Sequence, residues 1–182
     1  VADVAAVLRD PGGVAAMFNK TTQEAAVFQL RPGLPSEIGC VYWRTTGRPD
    51  ISVLTPWHVA VTETPEIYAR RGDPAELLSL EHHFQPPPDI FQPDYSRAWW
   101  KFKRLAQVVD QSYAERITGV QKTWTAMEQR LIQEQAQIEA EALRLWPTDP
   151  AAARALLTRF CSDRALEACA EADRLAKELA ER

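Results

Sequence analysis

The spacing of apolar residues changes along the chain and separates a strand-rich part from a helical part. Residues 1–9 carry apolar side chains at helical spacing and predict a helix that begins without a capping residue. Three short runs rich in β-branched and aromatic residues follow, at residues 25–30, 39–45 and 51–54. A further stretch, residues 57–61, extends or follows the third run across Pro56. Because turn residues separate the runs, we expect a small antiparallel sheet with a break, bulge or edge at Pro56.

The second half of the chain predicts long helices. A helical region opens at Pro93-Asp94 and continues to Trp146, and Gly119 is expected to mark a bend inside it. Its apolar residues step by three, four or seven and form a heptad-like seam. The seam consists of Tyr113, Ile117, Val120, Trp124, Met127, Leu131, Ile138, Ala142 and Leu145. The Glu and Gln residues between positions 128 and 141 are expected to form a solvated face of this helix.

A last helix is predicted after the turn formed by residues 147–150. Asp149 is its expected N-cap and Pro150 its first residue. One face carries apolar or small residues, namely Leu157, Cys161, Ala165, Ala168, Ala172, Leu175 and Leu179. Because the turn is short, the two helices should lie side by side as an antiparallel hairpin.

The stretch between the strands and the long helices is loop-like. One helix is predicted over residues 73–82, with Asp73 as its N-cap and Pro74 as its first residue. The proline triplet at residues 86–88 then predicts a stiff, extended spacer.

Composition and charge bound the class of protein. The 182 residues fit one medium domain, or a small sheet part with a helical part. The net charge of -4 is small, and charged residues of both signs are present, so we expect no nucleic-acid partner. No apolar run approaches the length of a membrane span, and no signal-peptide pattern is present, so we expect no membrane partner and a cytoplasmic protein. Secretion is the alternative location, because the chain does not begin with Met and a leader could have been removed.

The cysteines and histidines supply the candidate reactive groups. Cys161 and Cys169 share one predicted helix, roughly 12 Å apart along its axis, so we expect no disulfide and a reducing compartment. Cys40 is expected to be a buried strand cysteine rather than a nucleophile. The adjacent His82-His83 lacks further ligands at metal spacing, so we expect no metal and no cofactor.

A series of short motifs runs through the strand region in a fixed order. They are Thr21-Thr22-Gln23, Val27-Phe28-Gln29-Leu30-Arg31, Leu34-Pro35, Glu37-Ile38-Gly39, Val41-Tyr42-Trp43, Gly47-Arg48-Pro49, Thr55-Pro56-Trp57, Thr62-Glu63-Thr64-Pro65-Glu66-Ile67-Tyr68 and Ala98-Trp99-Trp100-Lys101-Phe102-Lys103. No single motif is catalytic. Their order and spacing, however, resemble those of the bacterial cysteine dipeptidases called dipeptidase A, which are N-terminal-nucleophile (Ntn) hydrolases.

The resemblance implies an α+β fold and a peptidase activity. Residues 1–66 would form part of the antiparallel sheets of an Ntn-type αββα sandwich, residues 67–93 a linker with a short helix, and residues 94–182 a helical hairpin extension. The implied reaction is hydrolysis of dipeptides and other small peptides without a metal. An N-terminal cysteine attacks the peptide carbonyl, its own α-amino group is the base, and water resolves the thioester.

The Cys-Thr-Thr opening of these enzymes does not occur in this chain, which starts at Val1. We therefore expect the C-terminal part of such an enzyme, inactive alone, with the nucleophile upstream and no catalytic residue of its own. Its expected partners are the N-terminal catalytic half and a dipeptide substrate, and a homo-oligomer stays open. Thr22, Gln23, Trp43 and His58 are the candidate pocket-lining residues, although a lone histidine such as His58 is more often a hydrogen-bonded structural residue.

A non-catalytic helical interaction or assembly module is the alternative function. The dipeptidase hypothesis predicts exposed apolar surface on the sheet, where the rest of the enzyme would pack. The alternative predicts a sheet covered by polar residues and a helical seam left open for a partner helix.

Overall fold

The computed structural model describes residues 1–10, 18–69, 72–73, 75, 78–86, 88 and 92–181. Within them the helices are α1 (Ala2–Arg9), α2 (Ser36–Gly39), α3 (Leu80–Phe84), α4 (Ala98–Asp110), α5 (Tyr113–Leu145) and α6 (Pro150–Ala180), and the strands are β1 (Ala26–Leu30), β2 (Cys40–Arg44) and β3 (Thr55–His58). The strands form one antiparallel sheet in the order β1-β2-β3. The protein is therefore of the α+β class with long C-terminal helices, as the sequence predicts.

The structure confirms the first two predicted strands and the predicted N-terminal helix. β1 and β2 match the first two apolar runs within one residue at each end, and no side chain caps α1 at Val1. Pro56 lies inside β3, opposite Trp43 of β2. Among the described strands β3 pairs only with β2, so it is an edge strand. A proline is tolerated there, because its missing N–H group would otherwise point to the unpaired edge. The edge alternative for Pro56 is thereby confirmed.

The predicted third strand at residues 51–54 is wrong, because the strand begins only at Thr55. Three side chains from distant parts of the chain bind the backbone of the earlier segment. These pairs are Arg9 with the Ser52 carbonyl, Glu128 with the Leu54 amide, and Trp124 with the Ile51 carbonyl. Since side chains satisfy these groups, the segment is buried without pairing as a strand.

The long helical region is interrupted at Gln111-Ser112 rather than at Gly119. The amides of Gln111 and Ser112 bond back three residues, to the carbonyls of Val108 and Val109, which closes α4 with a tightened turn. Gly119 lies within α5, and nothing stands within 4 Å of the position that a Cβ would take there. No steric reason therefore requires a bend at the glycine.

α5 and α6 pack together as the predicted hairpin. The Asp149 carboxylate accepts a hydrogen bond from the amide of Ala152 at 2.9 Å, and Pro150 is the first residue of α6, as predicted. The seven residues of the predicted apolar face of α6 are all buried. Among the described helices, none combines the length and the apolar character that crossing a membrane requires.

Of the helix predicted over residues 73–82, the described residues include a helical Ala75 and the start of α3. α3 begins at Leu80, and the hydroxyl of Ser79 caps it by accepting from the amide of His82. Asp73 accepts a hydrogen bond from the amide of Ala75. Pro74, residues 76–77 and the central proline of the triplet at 86–88 lie outside the described residues.

The two faces of the sheet differ. On one face Val41, Trp43 and His58 are buried beneath α5 and α6. One apolar cluster joins Ala5 of α1 to Trp43 and to Leu179 of α6, so α1, the sheet and the long helices share a core. The division of the chain at residues 66 and 94 stays a prediction.

Candidate functional site

His58 lies on the covered face of β3 and is held from two sides. Its Nε2 lies 2.8 Å from Oε1 of Glu139, and its Nδ1 lies 3.5 Å from Sγ of Cys161. The ring is fully buried. A proton on Nε2 satisfies both contacts, because Nε2–H then donates to the carboxylate and Nδ1 accepts from the thiol. This arrangement is the hydrogen-bonded structural histidine that the sequence left open.

Glu139 is the centre of this buried polar group. Arg31 donates to it with both terminal nitrogens, and Gln135 donates to Oε1 at 2.7 Å. Burial alone would raise the pKa of Glu139, but hydrogen bonds from His58, Arg31 and Gln135 outweigh burial and lower the pKa to about 2. The ionised carboxylate therefore fastens β3 and the residue that follows β1 to α5.

Cys161, His58 and Glu139 are arranged like the nucleophile, base and orienting acid of a thiol peptidase. Access and acidity argue against that role. Cys161 has no exposed surface, and burial raises the pKa of its thiol to about 12. A nucleophilic cysteine needs a thiolate and a path for the substrate. The set therefore holds α6 to the sheet, and Cys161 lacks both the access and the thiolate that a nucleophile requires.

The other two cysteines are placed differently. Cys169 is buried in α6, its thiol donates to the hydroxyl of Tyr68 at 3.2 Å, and burial raises its pKa to about 11. Cys40 is half-buried rather than buried, which corrects the prediction. It pairs with the exposed Leu30 on the uncovered face of the sheet. Within the described residues its thiol makes no hydrogen bond, so no base stands ready to activate it.

Two of the predicted pocket residues line a crevice at the end of the sheet where β1 begins. Thr22 and Gln23 form one wall, and Trp99 and Lys103 of α4 form the opposite wall. The crevice has a volume of about 200 Å³, and its floor contains Ile51, Phe102 and Ala106. Trp43 and His58 lie elsewhere, in the interior beneath the sheet. Whether any of the four contacts a substrate stays a prediction.

The turn before β1 fixes the first wall of this crevice. The side chain of Asn19 accepts from the amide and the hydroxyl of Thr21, and the hydroxyl of Thr22 accepts from the amide of Asn19 at 2.9 Å. Gly47 donates its amide to the carbonyl of Gln23 at 2.8 Å and adopts φ +93°, a conformation that favours glycine.

Charge is distributed unevenly around the crevice. Lys20, Lys103 and Arg48 line it, and none of the described residues in its lining carries a carboxylate. Arg48 is fully engaged, because it binds Asp110 with two nitrogens at 2.9 and 3.1 Å and Asp50 with its Nε at 2.9 Å. Neither lysine makes an ion pair with a carboxylate in the described part of the chain. Lys103 instead lies 5.8 Å from the centre of the Trp99 ring.

The uncovered face of the sheet is apolar and aromatic. Phe28 is 70% exposed and Leu30 is 68% exposed. Phe28 stacks on Tyr42 with 5.0 Å between ring centres, and Tyr42 pairs with Trp57 of β3. A patch of this kind on a sheet marks a surface that packs against further protein or another apolar partner.

Sequence reasoning missed the partners of His58. It placed Gln135 and Glu139 on a solvated face of α5, but both are buried, and so is Glu128, which binds Arg9. A signal was present, because Leu131, Gln135, Glu139 and Ala142 step by four and three along the predicted seam. A polar residue in register with such a seam faces the core and needs a buried partner.

Comparison with known proteins places the chain among the peptidases. The model of a peptidase family matches residues 14–126, which is more than half of the chain and includes all three strands and α4. The chain belongs to peptidase family C69, which confirms the resemblance to the Ntn-type cysteine peptidases of the dipeptidase A family. No curated protein matches the sequence. Among the described residues, no group of three or more His, Cys, Asp or Glu side chains could hold a metal ion.

Proposed function

We propose that this chain is the C-terminal part of a cysteine peptidase that hydrolyses dipeptides and other short peptides. Its membership of a peptidase family carries the proposal. The attacking group is a cysteine at the start of the mature enzyme, upstream of Val1, and its α-amino group is the base. Attack on the peptide carbonyl expels the amine and forms a thioester, which water hydrolyses to the free acid and the thiol.

The placement of the three cysteines supports a nucleophile outside this chain. Cys161 and Cys169 are buried thiols with raised pKa values, which disfavours the reactive thiolate. Cys40 is half-buried on a strand and lacks a hydrogen-bonded base within the described residues. None of the three combines access with activation, and a cysteine peptidase requires both.

The sheet belongs, in this proposal, to an Ntn-type αββα sandwich. Helices cover one face of the sheet, and the other face presents Phe28, Leu30 and Tyr42. Two sheets of a sandwich pack through such apolar faces at about 10 Å. The uncovered face is therefore the surface on which a second sheet, contributed by the rest of the enzyme, would pack.

The assembly module remains the alternative function, and no contact favours it specifically. Leu131 and Trp124 of the helical seam are already buried within the chain. The sheet carries apolar rather than polar residues on its uncovered face, which favours the peptidase.

Hydrolysis by the complete protein tests the proposal. The complete protein, expressed from the whole gene, is incubated with alanyl-leucine and with a peptide of ten residues, and released amino acids are quantified. We expect cleavage of the dipeptide, faster than cleavage of the decapeptide, loss of activity after iodoacetamide, and full activity in the presence of EDTA. Failure to cleave any dipeptide, or activity that survives alkylation, would refute the proposal.

A further inference from the structure

The crevice between the turn at Thr22-Gln23 and α4 has the composition of a site for a small carboxylate. The buried part of its lining is apolar, with Ile51, Phe102 and Ala106, and two more exposed residues of the lining, Lys20 and Lys103, are lysines. A volume of about 200 Å³ accommodates one amino-acid residue of medium size. Crevices that bind small molecules combine such an apolar surface with a few polar groups that fix orientation.

The donors of the lining are available to a ligand. The hydroxyl of Thr22 accepts from the amide of Asn19, so its proton remains free to donate. In the described part of the chain, the side chain of Gln23 makes no hydrogen bond, and neither lysine has a carboxylate partner. The third cation, Arg48, is neutralised by Asp50 and Asp110 and so contributes no free positive charge.

We propose that this crevice binds the free carboxylate and the side chain of the C-terminal residue of a short peptide. Lys20 and Lys103 pair with the carboxylate, Thr22 donates a hydrogen bond, and the side chain of the peptide lies on Trp99 and the apolar floor. The choice of a peptide, among small carboxylates with an apolar part, rests on the proposed peptidase function. A site of this kind restricts a peptidase to substrates whose chain ends within the crevice.

Two probes that differ only in the terminal group test the proposal by binding alone. The complete protein is titrated calorimetrically with N-acetyl-leucine and with N-acetyl-leucinamide, which lacks the carboxylate charge. Sodium acetate, which carries the charge without the side chain, is the third probe. We expect N-acetyl-leucine to bind about tenfold more tightly than either of the others, because charge-assisted hydrogen bonds and apolar contact both contribute.

Single substitutions locate the site. K103M and K20M each remove one ammonium group and keep the length of the side chain, and we expect each to reduce the preference for the acid over the amide to less than about threefold. K122M, an exposed lysine on α5 that does not line the crevice, is the matched control and should keep the full preference. Circular dichroism confirms that each variant is folded.

Three results would overturn the proposal: no binding of N-acetyl-leucine, equal affinity for the acid and either other probe, or an unchanged preference in both K103M and K20M. The titration is independent of turnover. A protein that binds the acid selectively but cleaves no dipeptide would refute the peptidase and leave the carboxylate site standing. A protein that cleaves dipeptides without any acid preference would refute the carboxylate site alone.

Discussion

The substitution E139Q tests whether the buried carboxylate fastens the sheet to α5. Gln keeps the shape of the side chain, but the change removes the charge and replaces one accepting oxygen by an NH2 group that cannot accept from Arg31, Gln135 or His58. In the wild type, hydrogen bonds from His58, Arg31 and Gln135 outweigh burial and lower the pKa of Glu139 from 4.5 to about 2. This difference of roughly 2.5 units corresponds to a contribution of about 3 kcal/mol to the free energy of unfolding.

The sign of the pH dependence follows from the lowered pKa. A carboxylate with a lower pKa in the folded state stabilises the fold fully above pH 4.5, and this contribution disappears as the pH falls towards 2. We therefore expect E139Q to be less stable than the wild type by about 3 kcal/mol at pH 7, and by roughly half as much at pH 3. The difference should approach zero only below pH 2, because the wild-type carboxylate is still half ionised at that pH.

Urea denaturation followed by circular dichroism measures this difference at pH 7, 4 and 3. E141Q, at an exposed position on the same helix, is the matched control and should lie within about 0.5 kcal/mol of the wild type throughout. An E139Q variant as stable as the wild type at pH 7 would refute the reasoning. So would a difference that stays constant between pH 7 and pH 3.

Two further predictions concern the cysteines and the hairpin. An excess of Ellman's reagent at pH 7.5 should modify Cys40 of the folded chain within minutes. Cys161 and Cys169 should react only as the chain unfolds, because both thiols are buried and have raised pKa values. Rapid modification of Cys161, located by peptide mass spectrometry, would contradict its placement. The substitution D149A should lower the free energy of unfolding in urea by about 1 kcal/mol, because it removes the acceptor for the amide at the start of α6. The control D163A, at an exposed site within that helix, should have little effect. Equal losses in the two variants would contradict the capping role.

The sequence predicts the parts of the fold that depend on local periodicity. β1, β2 and the apolar face of α6 follow from spacing alone, and Asp149 with Pro150 marks the start of a helix by a local hydrogen bond and a fixed φ. The prediction of a strand at residues 51–54 is wrong because side chains up to 74 positions away make the hydrogen bonds of its backbone. A local pattern contains no information about such partners.

The sequence likewise predicts only part of the candidate site. Thr22 and Gln23 were identified from motif and position, and they line the crevice. His58 was identified as well, but its partner Glu139 lies 81 positions further along the chain, on a helix whose polar residues suggested exposure. The crevice itself needed the structure, since Lys103 and Trp99 reach it from α4.

Locating the nucleophile by alkylation tests the central claim most directly. The complete protein is treated with a dipeptidyl chloromethyl ketone, which alkylates the nucleophile of a cysteine peptidase, and the labelled peptide is identified by mass spectrometry. The account predicts a single labelled cysteine at the N-terminus of the mature enzyme, upstream of Val1, together with loss of dipeptide hydrolysis. Labelling of Cys40, Cys161 or Cys169 in parallel with the loss of activity would contradict it.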